Sequence, residues 1–428
     1  MPRELEADLA RRDAGLPGLA TLFEPDAMAR ELAEVDSSFA AGTASLDLRY
    51  LRYKPGTNCI ASYQIGEGPG ARLFYAKAYA GDAQAKLEKA EAKTPRKNGL
   101  KRIRIDRLGL VIFEFPDDAE LHALKRLAQP ELRQRLLARA LGDESIGVGD
   151  ELLTLAYKPE RRYVARLVRA SDGQEIVFKF YGRERYLASR QAHRALGSLD
   201  DDILLQKRLG GSKSYDMLAF QWLSGPTLRE ALNAGSAVSM EEVGRAVARL
   251  HAQNSTQVAP PADQSVGEEL DALAQTLSFL LPQLADDAQR IAEAIPKADT
   301  GAKEAPGLIH GDLYDKQIVL SEDRVGLIDL DDARMGDPRR DLGLFIAHLE
   351  RDRIMGRDLG PLEPLVGAFL EGYGQARARP LEGLTPFIAE GLFRLAHHPF
   401  RRQTADWPNQ TARILERSRE ILSTSAPT

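Results

Sequence analysis

Two stretches of the chain, residues 50–79 and 155–181, alternate apolar and polar residues in the manner of β-strands. In each stretch, two alternating runs flank a turn that contains glycine, and a third apolar run follows. This pattern predicts a β-hairpin and a third strand in both places. A helical pattern follows each third strand, so the sequence predicts two units of mixed α and β structure.

The two units also agree in the order of their motifs. Each begins with Tyr-Lys-Pro, at Tyr53 and at Tyr157, and carries Lys-x-Tyr on its third strand, at Lys77 and at Lys179. An apolar strand closes each unit. Tyr-Lys-Pro alone would recur by chance, but the ordered agreement favours a duplicated unit of about 90 residues.

Helical spacing replaces strand alternation after the second unit. Val243, Val247 and Leu250 recur at three- and four-residue intervals, and a second apolar stripe runs through residues 266–284. Such spacing is typical of amphipathic helices that pack in a core. We therefore expect three domains, which are residues 1–142 with the first unit, residues 143–233 with the second unit, and a helical domain over residues 234–428.

Composition and charge narrow the class of protein. The 428 residues are 43% hydrophobic and 28% charged, as in globular proteins. The net charge is −5 at pH 7, which gives no reason to expect nucleic acid or an anionic membrane as partner. The single cysteine, Cys59, excludes an intramolecular disulfide, and the charged first residues lack the apolar core of a signal peptide. We therefore expect a cytoplasmic protein without a membrane span.

Acidic side chains are concentrated near the ends of short strands between residues 308 and 343. Asp312 follows His310 and Gly311 in a predicted turn. A carboxylate in such a turn can orient a hydroxyl group and accept its proton. Asp312 is therefore the candidate general base.

Two short apolar runs follow, at residues 318–320 and 325–330, and they predict a hairpin. The loops at its ends present Gln317 and Asp329. Amide and carboxylate oxygens suit Mg²⁺, whose coordination is usually completed by water and substrate phosphates. A base, a metal site and a cation for phosphate are the parts that phosphoryl transfer requires.

The order of these motifs resembles the aminoglycoside phosphotransferase and choline kinase-like superfamily, which is related to protein kinases. The matching residues are His310-Gly311-Asp312-Leu313, the amide Gln317, Ile328-Asp329 and Gly336-Asp337-Pro338-x-x-Asp341-Leu342. The resemblance begins near Leu152 and implies an α+β fold, the bilobal protein kinase-like fold. The first unit would then be a degenerate duplicate of the N-terminal lobe that precedes this fold in the chain.

The resemblance implies a role for each matched residue around the base. Asp312 would be the catalytic base, and Gln317 and Asp329 would be the ligands of Mg²⁺. Asp341 would brace the catalytic loop. His310 would hold the same loop by packing and hydrogen bonding rather than by transferring a proton.

The resemblance also implies an ATP site in the second unit. Lys179 would bind the phosphates, and the backbone from Gln221 to Leu223 would bind adenine. Glu184 is the candidate partner of Lys179, because the later part of the predicted helix that contains it has no glutamate.

Two positions depart from the family pattern. Gln317 stands where the metal-binding amide is usually Asn, and this departure is similar to maltokinase and glucosamine kinase relatives. It favours a sugar or amino sugar as the hydroxyl acceptor. The turn at residues 158–162 contains no glycine, so Arg161 or Arg162 would bind phosphate there, unless both belong to a solvated basic turn.

Residues 393–408 form a candidate substrate wall. Trp407 would stack on a sugar and Arg401 or Arg402 would bind an anion, although a helix end with ordinary core aromatics explains the segment equally well. Residues 342–428 contain eleven Arg, no Lys and ten Asp or Glu. This balance disfavours a polycationic substrate.

Other functions remain as alternatives. The segment between Asp329 and Gly336 is too short for the activation segment of a regulated protein kinase. A non-catalytic pseudokinase is disfavoured because the base and metal positions are present, and an aminoglycoside or amino alcohol remains an alternative acceptor. The first unit has no His-Gly-Asp motif, so we expect Lys77 to lie outside the active site, in a cap, a homodimer surface or a scaffold.

Overall fold

In the computed structural model of the protein, the described residues are 2–35, 46–68, 71–81, 83–92, 102–196, 203–253, 266–299, 304–322, 324–377 and 381–424. Within these ranges the chain forms two antiparallel sheets of five strands, followed by a mainly helical part. No helix of the described ranges is long and apolar enough to cross a membrane.

The N-terminal part consists of short helices and the first sheet. Its helices and strands are α1 (Pro2–Arg12), α2 (Leu19–Phe23), α3 (Pro25–Val35), β1 (Leu46–Lys54), β2 (Asn58–Ile65), β3 (Arg72–Tyr79), α4 (Ala83–Ala92), β4 (Ile103–Ile105) and β5 (Leu110–Glu114). The order across the sheet is β1-β2-β3-β5-β4. Neighbouring strands are antiparallel throughout.

The second sheet repeats this arrangement. Its elements are α5 (Pro130–Leu141), β6 (Glu151–Lys158), β7 (Arg162–Val168), β8 (Glu175–Tyr181), α6 (Arg183–Leu196), β9 (Leu204–Leu205), β10 (Arg208–Ser212) and β11 (Met217–Gln221). The order is β6-β7-β8-β11-β10, while β9 pairs outside this sheet. Both sheets therefore have the same topology, as the internal similarity predicts, and Lys77 and Lys179 lie on their third strands.

One carboxylate in each unit ties the first hairpin of the sheet to the segment that precedes the sheet in the chain. Asp13 accepts hydrogen bonds from the hydroxyl of Tyr53 at 2.6 Å and from the N–H of the following turn at 2.8 Å. Asp118 accepts the same two bonds in the second unit, from Tyr157 at 2.8 Å and from the turn at 2.9 Å. The duplication therefore includes more than the strands.

The sequence carries this longer repeat. The pattern Asp-Ala-x-Leu-x-x-Leu-x-x-Leu-x-x-Pro occurs at residues 13–25 and again at 118–130. Its leucines are buried in both copies. Leu136 and Leu137 of α5 share a core with Phe178 of the second sheet. Residues 118–142 thus pack with the second unit, whereas the sequence prediction assigns them to the first domain.

The C-terminal part is mainly helical, with short strands around its loops. Its elements are α7 (Leu228–Asn233), α8 (Met240–Ala252), α9 (Val266–Leu280), α10 (Ala285–Ala298), β12 (Gly307–Ile309), β13 (Ile318–Leu320), β14 (Val325–Leu327), β15 (Arg334–Gly336), α11 (Arg339–Ile354), α12 (Leu362–Arg377), α13 (Thr385–Leu395), α14 (His398–Arg401) and α15 (Trp407–Ser423). Strand β12 pairs with β15, and β13 pairs with β14.

Local sequence explains the start and the buried face of the C-terminal helices. Thr227 and Glu230 form a reciprocal capping box at the start of α7. In α8, Val243, Val247 and Leu250 are fully buried, as their spacing predicts. The helices therefore present one apolar face to a common core.

The first sheet packs against the end of the C-terminal part. The ring of Phe400 lies 5.9 Å from Phe23 and 6.3 Å from Tyr53. Trp407 belongs to the same core and is 1% exposed. The first unit is thus in contact with the helices that follow the catalytic motifs.

Candidate active site

The His-Gly-Asp motif lies in the turn that follows β12, and a buried carboxylate fixes this turn. Asp341, in the first turn of α11, accepts the backbone N–H groups of His310 at 2.5 Å and Gly311 at 2.9 Å. It also bonds Nε2 of His251 at 3.0 Å. Burial opposes ionisation, but His251 and these N–H donors lower the pKa of Asp341. The ionised carboxylate therefore holds the loop, as the motif implies.

Two further features define the shape of the loop. Gly311 has a φ of 85°, and a Cβ atom at this position would lie 2.5 Å from the carbonyl oxygen of Asp332, so only glycine fits. The His310 ring is fully buried and its Nε2 bonds the carbonyl of Ile328 at 2.9 Å. His310 thus connects the loop to the hairpin that leads to Asp329.

Asp312 faces a large cavity that lies between the two sheets and the C-terminal helices. The protein around the carboxyl group limits its solvation and raises the pKa of Asp312 to about 6, and the negative charge of Asp329 contributes to the shift. A carboxylate with this pKa is ionised at neutral pH and is a stronger base than an ordinary aspartate.

Asp329 is the centre of a buried charge cluster. It adopts φ 61° at the end of the hairpin, which directs its carboxylate toward the second sheet. Lys179 donates to it at 2.7 Å, Arg162 at 2.8 Å and the amide of Gln317 at 3.1 Å. Although burial opposes ionisation, Lys179 and Arg162 hold the pKa of Asp329 well below its usual range. The fold thus brings together the predicted phosphate lysine and both predicted metal ligands.

This arrangement has the parts of a phosphoryl-transfer site, and residues 154–382 match the phosphotransferase enzyme family, APH. The chain belongs to this family. A comparison with curated proteins gave no match. The family match confirms the superfamily that the motifs predict, and the protein is a phosphotransferase.

Solved structures agree with the fold of this phosphotransferase. A thermostable mutant of aminoglycoside phosphotransferase APH(4)-Ia, in a ternary complex with AMP-PNP and hygromycin B, is 13% identical. The match covers 69% of this chain and 99% of that chain, with a TM-score of 0.50. A choline/ethanolamine kinase family protein from Mesorhizobium loti is 13% identical over 68% of this chain and 94% of that chain, with a TM-score of 0.49. The first likeness confirms the kinase-like fold class.

The partner of Lys179 in this phosphotransferase differs from the sequence prediction. Glu184 is exposed at the start of α6, and no contact joins it to the lysine. Instead, Asp331 lies 3.4 Å from Lys179 and bonds Tyr181 at 3.1 Å and His193 at 3.0 Å. The acidic partners of Lys179 are thus Asp329 and Asp331, at the end of the hairpin and in the loop after it, and not a glutamate of the helix.

The sequence leaves open whether Asp331 is a further ligand or a surface charge, and it assigns no role to His193. Asp331 is 3% exposed and His193 is 5% exposed, so both belong to the interior of the site. Burial lowers the pKa of His193, which therefore serves as a neutral hydrogen-bonding partner at pH 7. Its position two residues after Asp329 made Asp331 a candidate in the sequence, but only the fold shows that its side chain is buried beside Lys179.

The glycine-free turn between β6 and β7 is anchored by the first sheet. Glu160 lies at its tip with a φ of 61°, and its side chain is 6% exposed. Lys77 donates to both carboxylate oxygens of Glu160, at 2.9 and 2.8 Å, and Arg52 donates at 3.0 Å. Lys77 therefore lies outside the phosphate cluster, as predicted, but it is bound to the turn that carries Arg161 and Arg162.

The predicted adenine-binding segment follows β11. The N–H of Gln221 donates to the carbonyl of Lys207 at 2.9 Å, and its carbonyl accepts from the amide of Gln206 at 3.1 Å. The backbone of Gln221 is therefore already hydrogen-bonded. The side chain of Leu223 is buried and packs on Gly326 of the catalytic hairpin.

The predicted substrate wall is divided by the fold. Trp407 is inside the core, where its indole N–H donates to Glu6 at 3.2 Å, so it is not available to stack on a sugar. Arg401 instead lines the cavity and donates to the hydroxyl of Tyr50 at 2.9 Å. The prediction for Trp407 is wrong because the first unit, whose position the local sequence does not reveal, covers this side chain.

The residues around Asp329 have the donor chemistry that Mg²⁺ requires. The carboxylate of Asp329 and the amide of Gln317 are neighbouring oxygen-bearing groups, and Mg²⁺ is commonly held by one or two protein ligands with water and phosphate as the others. No group of three or more His, Cys, Asp or Glu side chains in the described ranges is arranged to hold a metal ion by itself. A site of this kind would be completed by the nucleotide.

Proposed function

We propose that this phosphotransferase is an ATP- and Mg²⁺-dependent small-molecule kinase, and that it transfers the γ-phosphoryl group to a hydroxyl of a sugar or amino sugar. The observation that carries the proposal is the pair of acidic groups with different environments. Asp312 faces the cavity with a raised pKa, while ion pairs hold the pKa of Asp329 well below its usual range. One carboxylate is suited to accept a proton and the other to hold cations.

The cavity side of the site provides the base. The acceptor hydroxyl lies against Asp312, whose carboxylate takes the proton as the hydroxyl oxygen forms a bond to the γ-phosphorus. The bond between that phosphorus and the bridging oxygen breaks, and ADP leaves with the electron pair. The loop keeps its position during this step because Asp341 holds two of its N–H groups.

The sheet side of the site provides positive charge for the phosphates. Lys179 is 3% exposed, and Arg162 reaches the same carboxylate from the neighbouring strand. Cations in such a partly desolvated cleft interact with phosphate several times more strongly than in water. Mg²⁺ held by Asp329 and Gln317 would supply further charge neutralisation on the phosphates.

Two features support a sugar as the acceptor. Gln317 at the amide position is similar to maltokinase and glucosamine kinase relatives. Tyr314, two residues after the base, stacks on His348 with ring centroids 4.7 Å apart, and both line the cavity. A flat aromatic wall beside a hydrogen-bonding base is suited to a polyhydroxylated ring.

The test is a phosphate-transfer screen with purified protein, MgATP and separate panels of sugars, amino sugars, amino alcohols and aminoglycosides. ADP formation and the mass of the phosphorylated product are measured together, with Asp312→Asn as the inactive control. The proposal is supported if the natural enzyme forms a phosphorylated sugar and Asp312→Asn does not. Nucleotide consumption that requires no acceptor and persists in Asp312→Asn, with no phosphorylated product in any panel, contradicts it.

A further inference from the structure

The cavity beside Asp312 has a strong excess of positive side chains. It has a volume of about 1620 Å³, and twelve Lys or Arg residues line it against seven Asp or Glu residues. This excess contrasts with the net charge of −5 for the whole chain. A basic cavity in an acidic protein concentrates anions rather than cations.

Six of these cations form no ion pair with a carboxylate in the part of the chain that the structure describes. They are Lys54, Lys158, Arg161, Arg334, Arg401 and Arg402. Four of the six, Lys158, Arg161, Arg401 and Arg402, are the candidates for an anion site. The partners of Arg401 are neutral, because it bonds the hydroxyl of Tyr50 and Nε2 of His397. Burial and the neighbouring Arg401 lower the pKa of His397 to about 3, so this imidazole carries no charge at pH 7.

The four cations act on each other and on their neighbours. Lys158 and Arg402 are exposed at the cavity wall. Reduced solvation there, together with the charge of Arg162 for Lys158 and of Arg351 for Arg402, lowers the pKa of both side chains. Burial opposes the ionisation of Tyr50, but Arg401 and Arg161 lower the pKa of its phenol below the usual value. The cluster therefore has a positive potential that its own side chains leave uncompensated.

Part of this cluster lies away from the phosphate cluster around Asp329. Arg401 ends α14 and contacts Tyr50 of the first sheet, so it belongs neither to the second sheet nor to the phosphate cluster around Asp329. The electrostatic neighbours of Arg402 include Tyr314, which follows the base in sequence.

A buried imidazole also belongs to the wall on this side of the cavity. His348 is 6% exposed and lines the cavity. Its Nδ1 atom is buried and has no hydrogen-bond partner in the described ranges. Buried polar atoms are normally paired, so this nitrogen is an unusual feature of the cavity wall.

We propose that the hydroxyl acceptor carries an acidic group, a phosphate or a carboxylate, which Arg401, Arg402 and Lys158 neutralise while the reacting hydroxyl faces Asp312. This proposal rests on the proposed kinase function and specifies its substrate class. An acidic acceptor supplies the charge that the four cations lack, whereas a polycationic acceptor would add repulsion to a site that already contains it.

The test compares matched probes by titration calorimetry. Glucose 6-phosphate, gluconate, glucose and glucosamine are titrated into the natural protein, Arg402→Gln and the matched control Arg419→Gln, whose arginine is on the exposed face of α15. We expect binding of an acidic probe, weakening of that binding by about ten- to a hundredfold in Arg402→Gln, and no change in Arg419→Gln. Binding should also weaken as ionic strength rises.

A second titration uses a nucleotide, because the phosphates of a nucleotide are also anions and could bind the same cations. AMP-PNP with Mg²⁺ is titrated into the same three proteins, and an equal loss of AMP-PNP affinity in Arg402→Gln would assign the cation to the nucleotide and overturn the proposal. Failure of every acidic probe to bind at millimolar concentration, or stronger binding of glucosamine than of glucose 6-phosphate, would also overturn it. If an acidic probe binds through Arg402 but no compound of any panel is phosphorylated, the kinase proposal is contradicted and the anion site stands. Phosphorylation of a neutral or cationic sugar, but of no acidic compound, would support the kinase proposal and overturn the proposal of an acidic acceptor.

Discussion

The contact between Lys77 and Glu160 allows a quantitative test of how the first unit supports the site. Replacement of Lys77 by Met keeps the length of the side chain and removes two charge-assisted contacts, at 2.9 and 2.8 Å. Glu160 then retains Arg52 as its cationic partner. The exposed Lys89 of α4 provides a control of the same residue type, as Lys89→Met.

The size of the effect follows from burial. The side chains of Glu160 and Lys77 are 6% and 16% exposed, so their contact is only weakly screened by water. A hydrogen bond to a charged group contributes about 1.5–3 kcal/mol, and since Arg52 remains we expect Lys77→Met to lower the free energy of unfolding by about 2 kcal/mol. Burial already raises the pKa of Glu160, and loss of Lys77 raises it further. The loss of unfolding free energy in Lys77→Met should therefore be larger at about pH 8 than at about pH 5, where protonation of Glu160 removes its buried charge.

The assay is a double-mutant cycle with Glu160→Gln, measured by urea unfolding and followed by tryptophan fluorescence. The chain has two tryptophans, and they report on different regions. Trp407 lies in the core of the first sheet, and Trp222 lies against Arg166 of the second. A coupling energy below about 0.5 kcal/mol, or equal effects of Lys77→Met and Lys89→Met, would refute the reasoning.

Three further predictions concern the chemistry. Asp312→Asn should lower kcat by about 10² or more and leave AMP-PNP affinity largely unchanged, as measured by initial rates and calorimetry; near-normal turnover would exclude Asp312 as base. Because the pKa of Asp312 is about 6 and the base must be ionised, kcat/KM should fall about tenfold per pH unit below that value; a flat profile down to pH 5 would contradict this. Asp329→Asn should remove the difference between AMP-PNP affinities measured with Mg²⁺ and with a chelator, and Gln317→Asn should affect it less than Gln317→Ala; an unchanged difference in Asp329→Asn would reject the metal assignment.

Local sequence was sufficient to predict the strands and to locate the catalytic motifs. The alternation at residues 50–79 and 155–181 predicts the first three strands of both sheets, since side-chain direction alternates along any strand. The motif around Asp312 is similarly local, because one turn and one hairpin set most of its geometry. The repeat at residues 13–25 and 118–130 is equally visible in the sequence, but it precedes the strands that first reveal the similarity of the two units.

Contacts between distant parts of the chain were not predictable in this way. Arg401 and Tyr50 are 351 residues apart, and no pattern in either segment indicates their contact. The composition of the segment around Trp407 predicts a substrate wall, yet the first unit buries this side chain. The assignment of Glu184 failed for the same reason, since the partner of Lys179 comes from a loop 152 residues later.

The two contacts made by strand β1 have a consequence for motion. Tyr50 and Arg52 lie two residues apart and therefore point to the same side of the strand. Tyr50 binds Arg401 of the C-terminal part, while Arg52 binds Glu160 at the tip of the nucleotide turn. If the second sheet swings away from the C-terminal helices, one of these contacts must break: Arg52–Glu160 if β1 stays with the helices, or Tyr50–Arg401 if β1 moves with the sheet. Strand β1 of the first unit therefore resists separation of the second sheet from the C-terminal helices.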